Sequence, residues 1–148
     1  MGFPLSSSPS ADALDRFVMA QTKDYAIALA EIRSGYKQSH WMWYIFPQIQ
    51  GLGFSEMAQT YGITDVVEAQ AYLQHPLLGP RLVEITEAVL TLGGLSAYDI
   101  FGSPDDLKLR SCCTLFTQVS PPGSVFEQVL TKYFDGQPDA ATLRLLSP

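Results

Sequence analysis

Residues 36–53 hold both of the chain's tryptophans, two of its seven tyrosines and one of its two histidines. Any fold must bury this stretch or wrap it around a cavity, because left outside it would form a large apolar patch. The same stretch carries Lys37, Ser39, His40 and Gln48, which are costly to bury unless each finds a partner. Apolar cover and hydrogen-bond partners are thus needed in one place.

The flanking sequence offers helices to build that place. Ser10 is a cap for a helix over residues 11–21, with Leu14, Phe17 and Val18 on one stripe. A second helix is expected over residues 24–34, where Tyr25, Ala28, Leu29 and Ile32 repeat at helical spacing and Gly35 stands at the left-handed C-cap position. Residues 40–46 are too uniformly apolar to show a period, and Pro47 ends whatever precedes it; a short helix followed by an irregular loop framed by Gly51 and Gly53 is the expectation.

Further starts are marked at residue 55, at Thr64, near Gly79-Pro80, at Ser96, at Ser103-Pro104, at the Ser124–Glu127 capping box and at Asp139. Leu82, Ile85, Val89 and Leu92 make the buried stripe of the helix over residues 77–92, with Glu84 and Glu87 solvated. No stretch alternates apolar and polar residues between hairpin turns, and no repeat is visible. The expectation is an all-α fold: one compact domain at residues 10–148 with about seven to nine helices, several short, behind a flexible tail at residues 1–9.

A chain of 148 residues, 47% hydrophobic and 16% charged, suits a single soluble core. Its net charge of −6 argues against broad nucleic-acid binding. Residues 1–9 lack the charged and apolar regions of a secretory signal, and no run reaches membrane-spanning length. Cys112 and Cys113 are adjacent and read as reduced, buried thiols, which points to the cytoplasm. Two cysteines and two dispersed histidines make no zinc signature, and nothing in the chain asks for a cofactor.

Several segments, taken in order, resemble one family. They include Ser39 to Gln48, Gly51-Leu52-Gly53, Tyr72-Leu73-Gln74-His75-Pro76, Leu78-Gly79-Pro80-Arg81-Leu82, Ile100-Phe101-Gly102-Ser103-Pro104-Asp105-Asp106 and Lys108-Leu109-Arg110-Ser111. The family is the bacterial domain of unknown function 1810, some of whose members carry the label "calpastatin". The resemblance implies a mostly helical single domain and no established catalytic residues. An inhibitor of the calpastatin kind works as a disordered, repetitive chain that folds on its protease; this chain is apolar and non-repeating, so that activity is not carried over.

Two functional readings stand. In the first, the stretch forms a polar and aromatic pocket that binds or hydrolyses a nucleotide-like or phosphorylated small molecule. Trp41, Trp43 and Tyr44 would stack a planar base or sugar, Arg33, Lys37, Arg81, Lys108 or Arg110 would hold phosphate, and Ser39 and Gln48 would bind the ligand. His40 is the acid/base candidate, and by analogy with helical N-glycosidases a carboxylate from Glu31, Asp105 or Asp106 would stabilise developing positive charge. His75 reads as a turn residue bonding a carbonyl. In the second, the domain is a non-catalytic protein-interaction module that presents a groove.

Overall fold

Residues 11–147 are described by a computed structural model, so the expected tail at residues 1–9 and the cap at Ser10 lie outside the described residues. Helix α1 runs unbroken over Ala11–Arg33, 23 residues where the sequence suggests two helices. Leu14, Phe17, Gln21, Ala28 and Ile32 are buried along one side, and half-buried Tyr25 packs on the core between Gln21 and Ala28. Gln21, at the supposed break, is held inside because its Nε2 donates to the Tyr44 carbonyl at 2.8 Å and to Tyr72 Oη at 3.0 Å. Thr22 donates its hydroxyl to the Val18 carbonyl one turn back at 2.9 Å, inside the helix.

The end of α1 is where the sequence puts it. Gly35 adopts φ 87°, its N–H reaches the Ile32 carbonyl at 2.8 Å and the Tyr36 N–H reaches the Glu31 carbonyl at 3.2 Å. This is the Schellman closure, and it turns the chain back beneath its own last turn. Eight further helices follow: α2 (Met42–Ile45), α3 (Glu56–Tyr61), α4 (Val66–Gln74), α5 (Leu78–Thr91), α6 (Ala97–Phe101), α7 (Asp105–Thr117), α8 (Val125–Phe134) and α9 (Ala140–Leu146). Among the described residues the extended backbone amounts to one isolated parallel bridge between Ile49 and Ile63. The fold is all-α, a single helical domain of nine helices in its described part, three of them with six residues or fewer.

Ser55, Ser96 and Asp139 cap α3, α6 and α9 through their side chains. Elsewhere the caps shift. Asp65, not Thr64, caps α4, because Asp65 Oδ1 takes the Glu68 N–H at 2.9 Å while the Thr64 N–H is claimed by the Glu68 carboxylate at 2.8 Å. Ser103 caps nothing: the Ser103–Pro104 peptide is cis, Pro104 holds the cap position, and carbonyls of Gly102 and Pro104 receive the first amides of α7. Ser124 caps α8, but Glu127 reaches back one residue further than a capping box requires, to the Gly123 N–H at 2.6 Å. Among the described residues the His75 ring bonds no carbonyl. Its Nδ1 accepts from the Leu77 and Leu78 amides at 3.1 and 3.2 Å, so the neutral imidazole starts α5.

Helix α5 is the axis of the packing, lying against α1, α4 and α8, while α7 packs on α8. A chain of aromatic contacts crosses these elements, from Phe17 to Tyr72 (centroids 5.1 Å apart), Tyr72 to Phe116 (5.5 Å) and Phe116 to Phe126 (5.6 Å). Gly79 lets α5 approach α4, since a Cβ there would stand 2.0 Å from the Leu73 carbonyl oxygen. At the far end Lys132 Nζ and Tyr133 Oη, both on α8, donate to the carbonyls of Leu90, Leu92 and Val89 at 2.5–2.7 Å, closing the C-terminus of α5. Arg16 ties α1 to the start of α4, donating to the carbonyls of Thr60 and Gly62 and to the buried Glu68 carboxylate.

Candidate functional site

Residues 37–41 return beneath the last turns of α1, so Glu31 becomes the centre of the aromatic stretch. Its Oε1 accepts from the Gln38 N–H (2.8 Å), the Ser39 N–H (3.0 Å) and Trp41 Nε1 (2.9 Å), and its Oε2 accepts from Ser39 Oγ (2.5 Å). Burial alone would push this carboxyl up, but the donors from Ser39, Gln38 and Trp41 outweigh it and hold the pKa down to about 2.

A second charged centre lies beside it. Lys37 Nζ donates to the Ser39 carbonyl at 2.5 Å, pairs with Asp105 Oδ2 at 2.9 Å and sits 4.9 Å from the Trp41 ring centroid. Its side chain is only 6% exposed, a position a lysine holds only when paired. Asp105 also pairs with Lys108 at 3.2 Å, whose ammonium lies over Trp43 at 5.0 Å.

The structure therefore brings Lys37, Ser39 and Trp41 together, with Glu31 and Asp105 as their counterparts, and brings Trp43 to the edge of the group. Each polar member is engaged by another, and Trp41 is a core residue at 1% exposure. The other expected site residues lie apart. Arg33 and His40 are exposed. Arg33 reaches Glu84 at 3.9 Å, and the His40 ring makes no hydrogen bond among the described residues. Arg81 lies over the Tyr25 ring at 4.9 Å and donates to Gln21 Oε1 at 3.3 Å. Gln48 and Trp43 share a shallow niche with Tyr61 and Gly62, with room for little more than a water molecule.

An open concavity lies elsewhere. A groove of about 690 Å³ runs between α5 and the α7–α8 connection, floored by Val83, Leu90, Val125 and Phe126 and edged by Glu84 and Glu87. A second concavity of about 520 Å³ continues it through the shared Leu90 and Gln128 to Glu127 and Lys132. The sequence carries a signal for it. Pro80, Val83, Glu87 and Leu90 repeat at i, i+3, i+7 and i+10 on the side of α5 away from the Leu82, Ile85 and Val89 stripe, so this helix has two apolar-bearing faces.

The remaining reactive groups are held back. Cys112 and Cys113 are fully buried on α7, and burial pushes both thiols up, away from thiolate. Tyr72, which accepts from Gln21 in the core, is likewise raised by burial. Among the described residues no group of three or more His, Cys, Asp or Glu is arranged to hold a metal ion, and no helix is long and apolar enough to cross a membrane.

These features define a one-domain helical protein with a knotted aromatic segment on one side and an open groove on another. The chain belongs to the family described as "Protein of unknown function (DUF1810)", whose model matches residues 11–146. It is similar to the crystal structure of the conserved hypothetical protein Rv1873 from Mycobacterium tuberculosis, at 50% sequence identity and a TM-score of 0.88, over 90% of this chain and 95% of that one. No curated protein matches it.

Proposed function

We propose that the protein is a non-catalytic interaction module that receives a protein partner in the groove between α5 and α8. One observation carries this: an open concavity of about 690 Å³ lies there, with an apolar floor and carboxylates at its edge, while the polar groups around Glu31 are spent on one another. A satisfied network stabilises a fold but leaves no donor for a ligand without breaking a bond already made. The two buried, unpaired thiols support a cytoplasmic setting.

A second reading has one observation in its favour. The Arg81 guanidinium has no carboxylate within 4 Å among the described residues and spends one donor on Gln21, beside the Tyr25 ring. A nucleotide-like or phosphorylated small molecule held by Arg81, with Arg33 nearby through Glu84, would use those spare donors. Both readings are tested by nuclear magnetic resonance on the 15N-labelled chain, titrated with short peptides and separately with ATP and ADP-ribose. The module gives peptide-dependent shifts at the amides of Val83, Glu87, Leu90 and Val125, and nucleotides that remain unchanged. Shifts centred on Tyr25 and Arg81 with ADP-ribose or ATP, abolished by Arg81→Ala, would replace the module with the small-molecule site.

A further inference from the structure

We infer, building on the groove as the binding site, that its occupant is a basic amphipathic helix of a partner protein, with a Lys or Arg set over Glu87. The shape comes first. Gly79 to Leu90 spans twelve residues of α5, about 16 Å or three helical turns at 1.5 Å per residue. Helix α5 forms one wall, and α8 with Ser120, Pro121 and Ser124 of the α7–α8 connection forms the other. Val83, Glu87 and Leu90 on α5 face Val125 and Gln128 on α8, so gaps recur at a helical repeat and accept knobs from a third helix at i, i+3, i+4 and i+7. An extended peptide would want a sheet edge, and the described residues have no strand beyond the Ile49–Ile63 bridge.

Charge selects the partner's sign. Glu84, Glu87 and Glu127 contribute carboxylates to the two concavities, against the single cation of Lys132. That ammonium is already bound to the carbonyls of Leu90 and Leu92. Glu84 accepts from Tyr25 Oη and Glu127 from the Gly123 N–H, and the hydroxyls of Ser120 and Ser124 and the Gln128 amide also have partners. Glu87 alone among these groups has none among the described residues, and it stands at the edge of the groove, one turn from Val83 and one from Leu90 on the same face of α5. A cation seated there would pair with Glu87 beside the apolar side chains of Val83 and Leu90, so the contact discriminates between partners by charge.

The test uses a fluorescent Leu/Lys peptide of about five turns, leucines at i, i+3, i+4 and i+7, read by anisotropy. Three comparisons accompany it: a Leu/Glu twin, a Leu/Lys twin with a central proline, and the protein variants Glu87→Lys and Asp15→Lys, which change net charge equally. Binding of the Leu/Lys helix at a Kd of roughly micromolar order, weakened at least about tenfold by Glu87→Lys but not by Asp15→Lys, is the expected result. Equal binding of the Leu/Glu twin, or equal weakening by Asp15→Lys, overturns the charge selection. Equal binding of the proline twin overturns the helix. In either case peptide-dependent shifts at Val83 and Leu90 would leave the groove itself standing as a binding site. No binding by any peptide, with silent groove amides, removes both the helix and the module.

Discussion

At the scale of single residues, Glu31 shows how a side chain that reads as a candidate catalyst becomes a fastener. Its four donors come from residues seven to ten positions away, and only the turn at Gly35 brings them under it. Gly35 as a helix stop is legible in the sequence; the return of the chain onto Glu31 is a tertiary fact. Because the folded-state pKa of about 2 lies below the ordinary 4.5, the charged carboxylate stabilises the fold fully above 4.5. That contribution drains away as pH falls from 4.5 towards 2. Glu31→Gln removes the charge and keeps the shape, so it should lower stability by about 1–3 kcal/mol at neutral pH. It should also flatten the acid limb of the stability curve. Urea unfolding of both proteins across that pH range measures this, and parallel curves would show that the Glu31 charge contributes nothing.

At the scale of elements, the local signals at caps fare best where they need no distant partner. Ser55, Ser96 and Asp139 are legible because a cap is a bond between near neighbours. The continuity of α1 is not, since what holds Gln21 inside is Tyr44 and Tyr72, 23 and 51 residues on. Nor is the role of Gly79 as the contact point between α4 and α5. A methyl at Gly79 meets backbone, the Leu73 carbonyl oxygen at 2.0 Å and its carbon at 2.8 Å, so the two helices must part. Gly79→Ala should cost about 1–3 kcal/mol, the range for overpacking a tight contact. Gly93→Ala, where a Cβ meets nothing within 4 Å, should stay within about 0.5 kcal/mol of the parent. Denaturant midpoints of the two variants decide it; similar midpoints would mean that α5 slides away from α4 at little cost.

At the scale of the whole molecule, one core joins the helices, and the candidate surfaces hang on it. The second apolar-bearing face of α5 is legible in its own sequence, but that α8 leaves this face uncovered is a relation between helices that no single segment encodes. Cys112 and Cys113 sit in that core on α7, both fully buried and both pushed towards the unreactive thiol by burial, with Cys113 adding further to the shift at Cys112. Around them α7 packs against α8, α4, α6 and α9, so no fraying helix end can expose them by itself. A thiol reagent such as an aromatic disulfide should therefore label them only through opening of the core. The labelling rate should rise with urea at the slope of global unfolding, under conditions where reclosing outpaces reaction. A peptide bound only by the folded groove should slow labelling through global opening by the factor one plus the ratio of its free concentration to its Kd. Rapid labelling in plain buffer, with little dependence on urea, would instead reveal that α7 detaches as a local unit while the rest of the domain stays folded.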